Sequence, residues 1–446
     1  MKKSFLFINK SGDFLGIQQR IQDEGHQCYA WYHPDVVKGK GKTGKGLIEI
    51  VDDFADVLKD YHSHKEDLII LIDDNSWGDW CDLQRLEGWY CVGSSHYGDD
   101  IEHERTEGSD LAKRLGLKIP TTTEFKDFNS GREFIKGVRV KMPEARFVFK
   151  ANGADLAGSS KTYVSKSLDD LEWFMNWVEK DCGVKGYSCD SFILQLLVDG
   201  LEADYACWYN GEKFAPVVGV TWEQKKLHDL GAAQGCYGQI LTFIPAKDST
   251  FFTEHFSKLL PYLKGSGPNE WAINNIISHR DHKPYFLEFT PRFGWDSTFG
   301  ELALLQDAGR PLGEFFTMIA LGLPFPKSYF PIGKYSASAR LFSESSGTSG
   351  EVVKGKPVSW NKEIEDNIWW YSLMKHEDDR YEITDNPIGV MTAVADSPAE
   401  AMAKLYALLT PASMNLITPD LFYSEHIGEG VAESERTLKE WGWLPK

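Results

Sequence analysis

The segment Phe286-Leu-Glu-Phe-Thr-Pro-Arg-Phe-Gly294 places a carboxylate, a hydroxyl and a guanidinium at alternate positions: Glu288, Thr290 and Arg292. In an extended chain, residues two apart share a face. An acid flanked by apolar residues on a buried strand is costly unless charged partners or a metal satisfy it. The Thr290 hydroxyl can ligate magnesium beside such an acid, and the planar fork of Arg292 can neutralise a phosphate or a carboxylate. The plainer alternative is an edge strand whose Glu288 and Arg292 face water.

Lys150 ends an apolar run, Arg146-Phe-Val-Phe-Lys150, and precedes the small-residue stretch that leads to Lys161. A lysine leaving a strand beside such a loop can hold a nucleotide phosphate while backbone amides cradle the rest; alone it reads as surface charge. Asp199-Gly-Leu-Glu202 marks a tight turn after another apolar run, Phe192–Val198. Lys38 to Gly46 comes close to a phosphate-binding loop, but Gly46 stands where Ser or Thr is needed and no buried strand precedes it, so a basic surface loop is expected. His279/His282 and His62/His64 lack an evident third ligand and read as turn residues. The 15 tryptophans, Trp369 and Trp370 among them, read as core and interface residues.

The elements needed to position these groups follow from hydrophobic patterning. Phe5–Ile8 reads as a strand, with a helix after the turn at Ser11-Gly12-Asp13. Asp67–Ile72, closed by Asp73-Asp74-Asn75, reads as a strand buried on both faces, as in a parallel sheet, and Tyr90–Gly93 as a third. Residues 1–105 are therefore expected to form an open α/β unit with polar groups at the carboxyl ends of its strands, where ligands sit in such sheets. Leu168–Lys180 reads as an amphipathic helix, and Asn210-Gly211 between alternating runs as a hairpin. After the proline-rich stretch ending at Pro331, a separate piece is expected, with a strand at Ile388–Ala395 and a helix from Ser397 to Leu409.

Composition bounds the partners. The 446 residues are ample for several packed units, and 66 acids against 48 bases give a net charge of −18. Such a body repels phosphodiester backbones, which argues against general nucleic-acid binding but permits a local basic pocket. Seven scattered cysteines without a CxxC pair fit reduced thiols in a cytoplasmic protein. The apolar run after Met-Lys-Lys is too short for a signal peptide, and no stretch is long and apolar enough for a membrane span.

Taken in order, these segments resemble the ATP-grasp ligases, and within them the glycinamide ribonucleotide synthetase (phosphoribosylamine–glycine ligase) family. The family pattern V-I-E-F-N-x-R-F-G-D is similar to Phe286–Gly294, V-I-K-A-D-G-L-A-A-G-K-G to Val148–Lys161, I-V-I-E-E-F-L-D-G-E-E to Phe192–Glu202, and K-x-A-Y-A-L to Lys404–Leu408. The resemblance implies an α/β (α+β) architecture: an N-terminal α/β acceptor-substrate domain (1–105), a small ATP-grasp lobe with a linking helix (106–199), a large lobe (200–330), and a C-terminal α/β domain with tail (331–446). It implies ATP with Mg2+ or Mn2+ as cofactors. By residue, it implies Lys150 and Lys161 on the phosphates, Gln195, Leu197 and Val198 at an adenine-reading hinge, and Glu202 on the ribose. Glu288 and Thr290 would hold the metal, Arg292 and Lys226 would serve catalysis, and Ser11, Gly12, Asp73, Asp74 and Asn75 would face the acceptor.

The activity so implied joins a carboxylate, glycine or another amino acid, to an amine such as phosphoribosylamine through an acyl-phosphate, in a monomer or homodimer acting on small molecules. The family differs here in several places. Its metal-binding Asn is Thr290, its first hinge Glu is Gln195, and its N-terminal G-N-G-G-R-E-H is replaced by Ile8–Asp13. Two alternatives therefore stand beside it: a nucleotide-binding paralogue without turnover, and a ligase acting on another amine, a peptide or a modified nucleotide.

Overall fold

The apolar run that closes on Asp73 becomes a central strand. The computed structural model describes residues 2–34, 36, 42–151, 162–185, 191–225, 236–326, 328–343, 355–409 and 421–446. Strands β1 (Ser4–Asn9), β2 (Gln27–Tyr32), β3 (Glu49–Ile50), β4 (Leu68–Ile72) and β5 (Tyr90–Val92) form a parallel sheet in the order β3-β2-β1-β4-β5. No residue of β4 is more than 1% exposed. Burial of each such side chain contributes ~1.5–3 kcal/mol. The helix Leu15–Asp23 covers one face with Leu15, Ile17 and Ile21; Phe54–Asp60, capped by the Asp53 carboxylate, covers the other through Val57.

The described part of the glycine–lysine loop, expected as a basic surface loop, packs against residues 373–375. The Gly44 N–H donates to the Leu373 carbonyl, and the Lys45 carbonyl accepts from Lys375. Gly46 sits at φ +75°, where a methyl group would lie 2.3 Å from the Lys375 carbonyl oxygen, so glycine is required at this contact.

A second unit has its own core. Strands β6 (Thr122–Phe125), β7 (Phe147–Ala151), β8 (Thr162–Val164) and β9 (Phe192–Leu196) form an antiparallel sheet in the order β6-β9-β7-β8. The helices Phe128–Lys141 and Leu168–Lys185 pack against it, and Phe192 stacks on Phe149 and Phe128 at 4.9 and 5.0 Å. The strand expected to reach Val198 ends at Leu196, leaving Leu197 and Val198 in the connection that follows.

The remaining strands are β10 (Gly200–Tyr209), β11 (Val217–Gln224), β12 (Gly238–Pro245), β13 (Asn269–Ser278), β14 (Pro284–Thr290), β15 (Tyr335–Ser343), β16 (Lys356–Val358), β17 (Ile368–Trp370), β18 (Leu373–Lys375), β19 (Tyr381–Ile383), β20 (Gly389–Ala395) and β21 (Leu421–Phe422). One nine-stranded sheet runs β14-β13-β10-β11-β12-β15-β20-β17 with β21 beside β15, and β16-β19-β18 form a small sheet. The C-terminal segment is therefore not a separate piece. Its strand β15 pairs with β12 from Gly238↔Ala339 to Thr242↔Tyr335, supplying hydrogen-bond partners to an edge that would otherwise be open. The helices Trp295–Asp307 and Pro398–Leu408 pack on this sheet, the latter begun by a Ser397 cap with proline in its first turn. Trp369 and Trp370 are buried interface residues: Gly16 meets their backbone, and the Arg20 guanidinium lies 3.8 Å above the Trp369 ring.

Candidate active site

Register across the large sheet assembles a polar face. On β10–β14, Thr221 lies opposite Asp204, Asp204 opposite Asn274, and Asn274 opposite Glu288. Antiparallel partners in register share a face, so this row crosses four strands on one side, while Tyr205, Ile273 and Phe289 point into the core on the other. The pairing slips between Asn274 and Asn275, which leaves Leu287 as the extra residue of a β-bulge. The bulge places Phe286 and Phe289, three apart, on the core side and turns Glu288 and Thr290 to the polar face. β14 is the edge of the sheet and Glu288 is exposed, as the edge-strand alternative expected for this residue, while Arg292 is not; Glu288 accepts a 3.3 Å hydrogen bond from Asn274 Nδ2.

At one side of this row lies a second group of charges. Lys225 Nζ pairs with Glu202 and lies 3.6 Å from Asp204 and 3.5 Å from Glu223. Asp204 is 6% exposed, and neither of its carboxylate oxygens has a hydrogen-bond partner. Burial raises its pKa well above the usual carboxylate value, against the pull of Lys225. Loss of water works against the Lys225 charge, but Asp204, Glu202 and Glu223 outweigh it and hold the ammonium. Glu202, two residues before Asp204 on β10 and so on the same face, already carries a cation.

On the other side, Arg292 meets the N-terminal unit. Its Nε donates to Glu102 at 3.0 Å, and its pKa is held up by Glu102, Asp74 and Glu288 against burial. Glu102, on the helix His96–His103, is pushed up by burial and pulled back by Arg292 and Asn75. Asp74, Asn75, Arg292 and Glu288 are therefore brought to one region. Asp73 takes a different part. Its carboxylate accepts from the N–H groups of Lys10 (2.6 Å), Ser11 (3.1 Å) and Gly12 (2.8 Å) and from the Ser11 hydroxyl (2.8 Å). Burial, with Asp13 and Asp74 nearby, moves its pKa up to about 6. Ser11 and Gly12, expected to face the acceptor, direct their donors to Asp73 instead.

In the smaller unit Lys150 lies opposite Ile193, and Val148 opposite Gln195, on the sheet face turned away from Phe149 and Phe192. Gln195 is 7% exposed, its amide 3.4 Å from the Thr122 hydroxyl. The N–H of Leu197 donates to the Arg146 carbonyl at 2.8 Å, so an adenine edge can take only its carbonyl. Lys161 and Lys226 lie outside the described residues. The sequence reading missed Asp204, Asn274 and Glu102; only the spacing of Asp204 two residues after Glu202 signalled a shared face.

A magnesium ion is usually held by one or two carboxylates, several waters and substrate phosphates. Glu288, the orphaned Asp204 carboxylate and the amide oxygen of Asn274 are oxygen donors of that kind. Among the described residues no three His, Cys, Asp or Glu side chains converge as a self-sufficient metal cage. The set fits a cation that arrives on phosphate oxygens. His282 stacks on Trp441 at 4.4 Å, a packing role for one of the doubtful histidines.

No family model and no curated protein matches this sequence. Solved structures match its fold over nearly the whole chain. A phosphoribosylamine–glycine ligase from Thermotoga maritima is 16% identical, with 95% of this chain and 100% of that one covered at a TM-score of 0.69. A biotin carboxylase from Campylobacter jejuni is 12% identical over 93% and 92%, with a TM-score of 0.61. The biotin carboxylase domain of the 2-oxoglutarate carboxylase of Hydrogenobacter thermophilus, solved with MgADP and bicarbonate, is 13% identical over 93% and 91%, with a TM-score of 0.62. The chain has the ATP-grasp fold.

Proposed function

We propose that the chain is an ATP-dependent carboxylate–amine ligase. The observation that supports this most is the position of Glu288, between the Asp204–Lys225 group on one side and Arg292 with Glu102 and Asp74 on the other. One end suits a nucleotide phosphate chain, the other a carboxylate and an amine. In this reading a carboxylate oxygen attacks the γ-phosphorus of ATP and ADP leaves; the amine nitrogen then attacks the acyl carbon and phosphate leaves with that oxygen. The amine's proton passes to a nearby carboxylate or water. Lys150 steadies the phosphates, residues 195–198 bind adenine, and Glu202 takes the ribose once Lys225 swings toward the phosphates. Arg292, held by Glu102, orients the carboxylate and balances charge on the acyl-phosphate. Glu288, Asn274 and Asp204, with Thr290 beside them, would hold the magnesium, which neutralises phosphate charge when bound. Work of this kind is mainly positioning and charge neutralisation.

The carboxylate is proposed to be glycine or another small amino acid, and the setting a cytoplasmic one. ADP and phosphate release, measured over a panel of amino acids and amines with the product identified by mass, tests the reading. Release that requires one member of each class supports it, and no ATP turnover with any pair would sink it. A second reading, a nucleotide-binding protein without turnover, is favoured by one observation: an amide, Asn274, lies beside Glu288 where a second carboxylate would strengthen a cation site. Calorimetry separates the two, because the second reading expects ATP binding that is indifferent to magnesium and forms no ADP.

A further inference from the structure

The loop that follows β1 has the makings of an anion site. Four consecutive residues, Lys10 to Asp13, aim their N–H groups inward at the carboxyl end of a parallel strand, and backbone amides so arranged form a concave nest that attracts negative charge. In this chain the nest is filled from within. Strands β1 and β4 lie side by side in register up to Ile8↔Ile72, which puts Asp73, one residue beyond, next to the loop. Its Oδ1 accepts from the Lys10 N–H at 2.6 Å and the Ser11 N–H at 3.2 Å; its Oδ2 accepts from Ser11, Gly12 and Asp13 N–H at 3.1, 2.8 and 3.4 Å and from the Ser11 hydroxyl at 2.8 Å. Asp73 is 8% exposed. Asp13 and Asp74 stand close enough to act on its charge, so a phosphate dianion arriving here would meet three carboxylates and donors already engaged.

We infer that Asp73 is a specificity determinant: it occupies the anion nest, so the amine that reacts in the neighbouring cleft enters without a phosphate group bound at this loop. The acceptor class is an unphosphorylated amine. Occupation of the nest stands on geometry alone; its consequence for the acceptor rests on the ligase reading above. Asp73 acts by exclusion and touches no reacting atom.

Hydrogen–deuterium exchange of the peptide spanning residues 8–15 tests the nest without nucleotide or turnover. In the full-length protein these amides are expected to exchange slowly in phosphate-free buffer and to be unchanged by added inorganic phosphate. In Asp73→Ala they are expected to exchange at least about tenfold faster, and inorganic phosphate should slow them again. Slowing of the unaltered protein by phosphate, or exchange as fast as in the variant, overturns the proposal. Should Asp73→Ala fail to fold, the phosphate response of the unaltered protein still decides, with Asp73→Asn, which keeps one acceptor oxygen, expected to lie between. Pairing each free amine of the turnover panel with its O-phosphorylated form tests the consequence: a productive phosphorylated amine contradicts it. Absence of all turnover would count against the ligase reading and leave the exchange result to judge the nest.

Discussion

At the scale of single residues, exposure separates groups kept for function from groups kept for packing. Glu288 is exposed on the polar face, with a long hydrogen bond to Asn274 and an electrostatic pull on Arg292, so its removal leaves packing untouched. Glu288→Gln is expected to abolish ADP formation while shifting stability by no more than about 0.5 kcal/mol, read from turnover and thermal melting on one preparation. A large loss of stability would mean that the carboxylate is structural. Glu270, on the same sheet face but beneath the helix Trp295–Asp307, is the opposite case. It is fully buried, accepts from the Gly294 N–H at 3.0 Å and the Thr298 hydroxyl at 2.8 Å, and burial raises its pKa to about 7. A carboxyl raised from its unfolded value of about 4.5 favours the folded state fully below that pH, and this contribution is lost as pH rises toward 7. Glu270→Gln is thus expected to raise the melting temperature at pH 8 and to change it little at pH 4; the reverse order would contradict the assignment. Residue type and spacing singled out Glu288 and Arg292 as candidates, and the resemblance added Lys150. Asp204 and Glu102 were not singled out, because a neighbour across a strand pair or between units leaves no trace in local sequence.

Elements show the same division. Strand β4 and the hairpin at Asn210-Gly211 were plain in the sequence, since an unbroken apolar run and a positive-φ turn are local signals. Strand β13 was not recognised, because Glu270, Asn274 and Asn275 interrupt its apolar residues; those polar groups bond to partners on β10, β14 and the helix Trp295–Asp307. Strand β15 was missed for a related reason: Ser336-Ala-Ser-Ala339 has small side chains that carry little pattern. That strand also delivers Arg340, 3% exposed at its side chain, to Asp296 at the start of the helix Trp295–Asp307, with Nη2 2.8 Å from Oδ1. Removing one member of a buried pair leaves the other charge unpaired, so Arg340→Met is expected to cost about 3–5 kcal/mol. The double variant Arg340→Met/Asp296→Leu should recover part of that loss in chemical denaturation; a single variant as stable as the parent would show that the pair does not join strand to helix.

For the whole molecule, the main correction to the sequence reading concerns the C-terminal segment. Strands β15, β20 and β17 extend the sheet that carries Glu288, and one hydrophobic core runs from Phe5 and Leu15 through Trp208 to Trp369 and Leu405. A chain ending at residue 330 is expected to lack a cooperative melting transition, because it loses the partner of β12 and the segment packed on Gly16 and Arg20. A soluble, cooperatively melting fragment would contradict the continuity. The smaller unit has a core of its own, and its strand at Phe147–Ala151 and helix Leu168–Lys185 were readable from local pattern, whereas the strand Thr122–Phe125 and the helix Phe128–Lys141 were not. The net charge of −18 also takes a different meaning once the face is assembled. Among the described residues Arg292 and Lys225 are outnumbered by the acids around them, and Asp73 fills the amide nest at the carboxyl edge of the N-terminal sheet. The central claim, that a carboxylate is activated by phosphoryl transfer before an amine takes it, is tested most directly by labelling. With both carboxylate oxygens of the amino acid replaced by the heavy isotope, each amide formed is expected to deliver one heavy oxygen to the released phosphate. Phosphate that carries none, while ADP and amide are formed, would contradict the account.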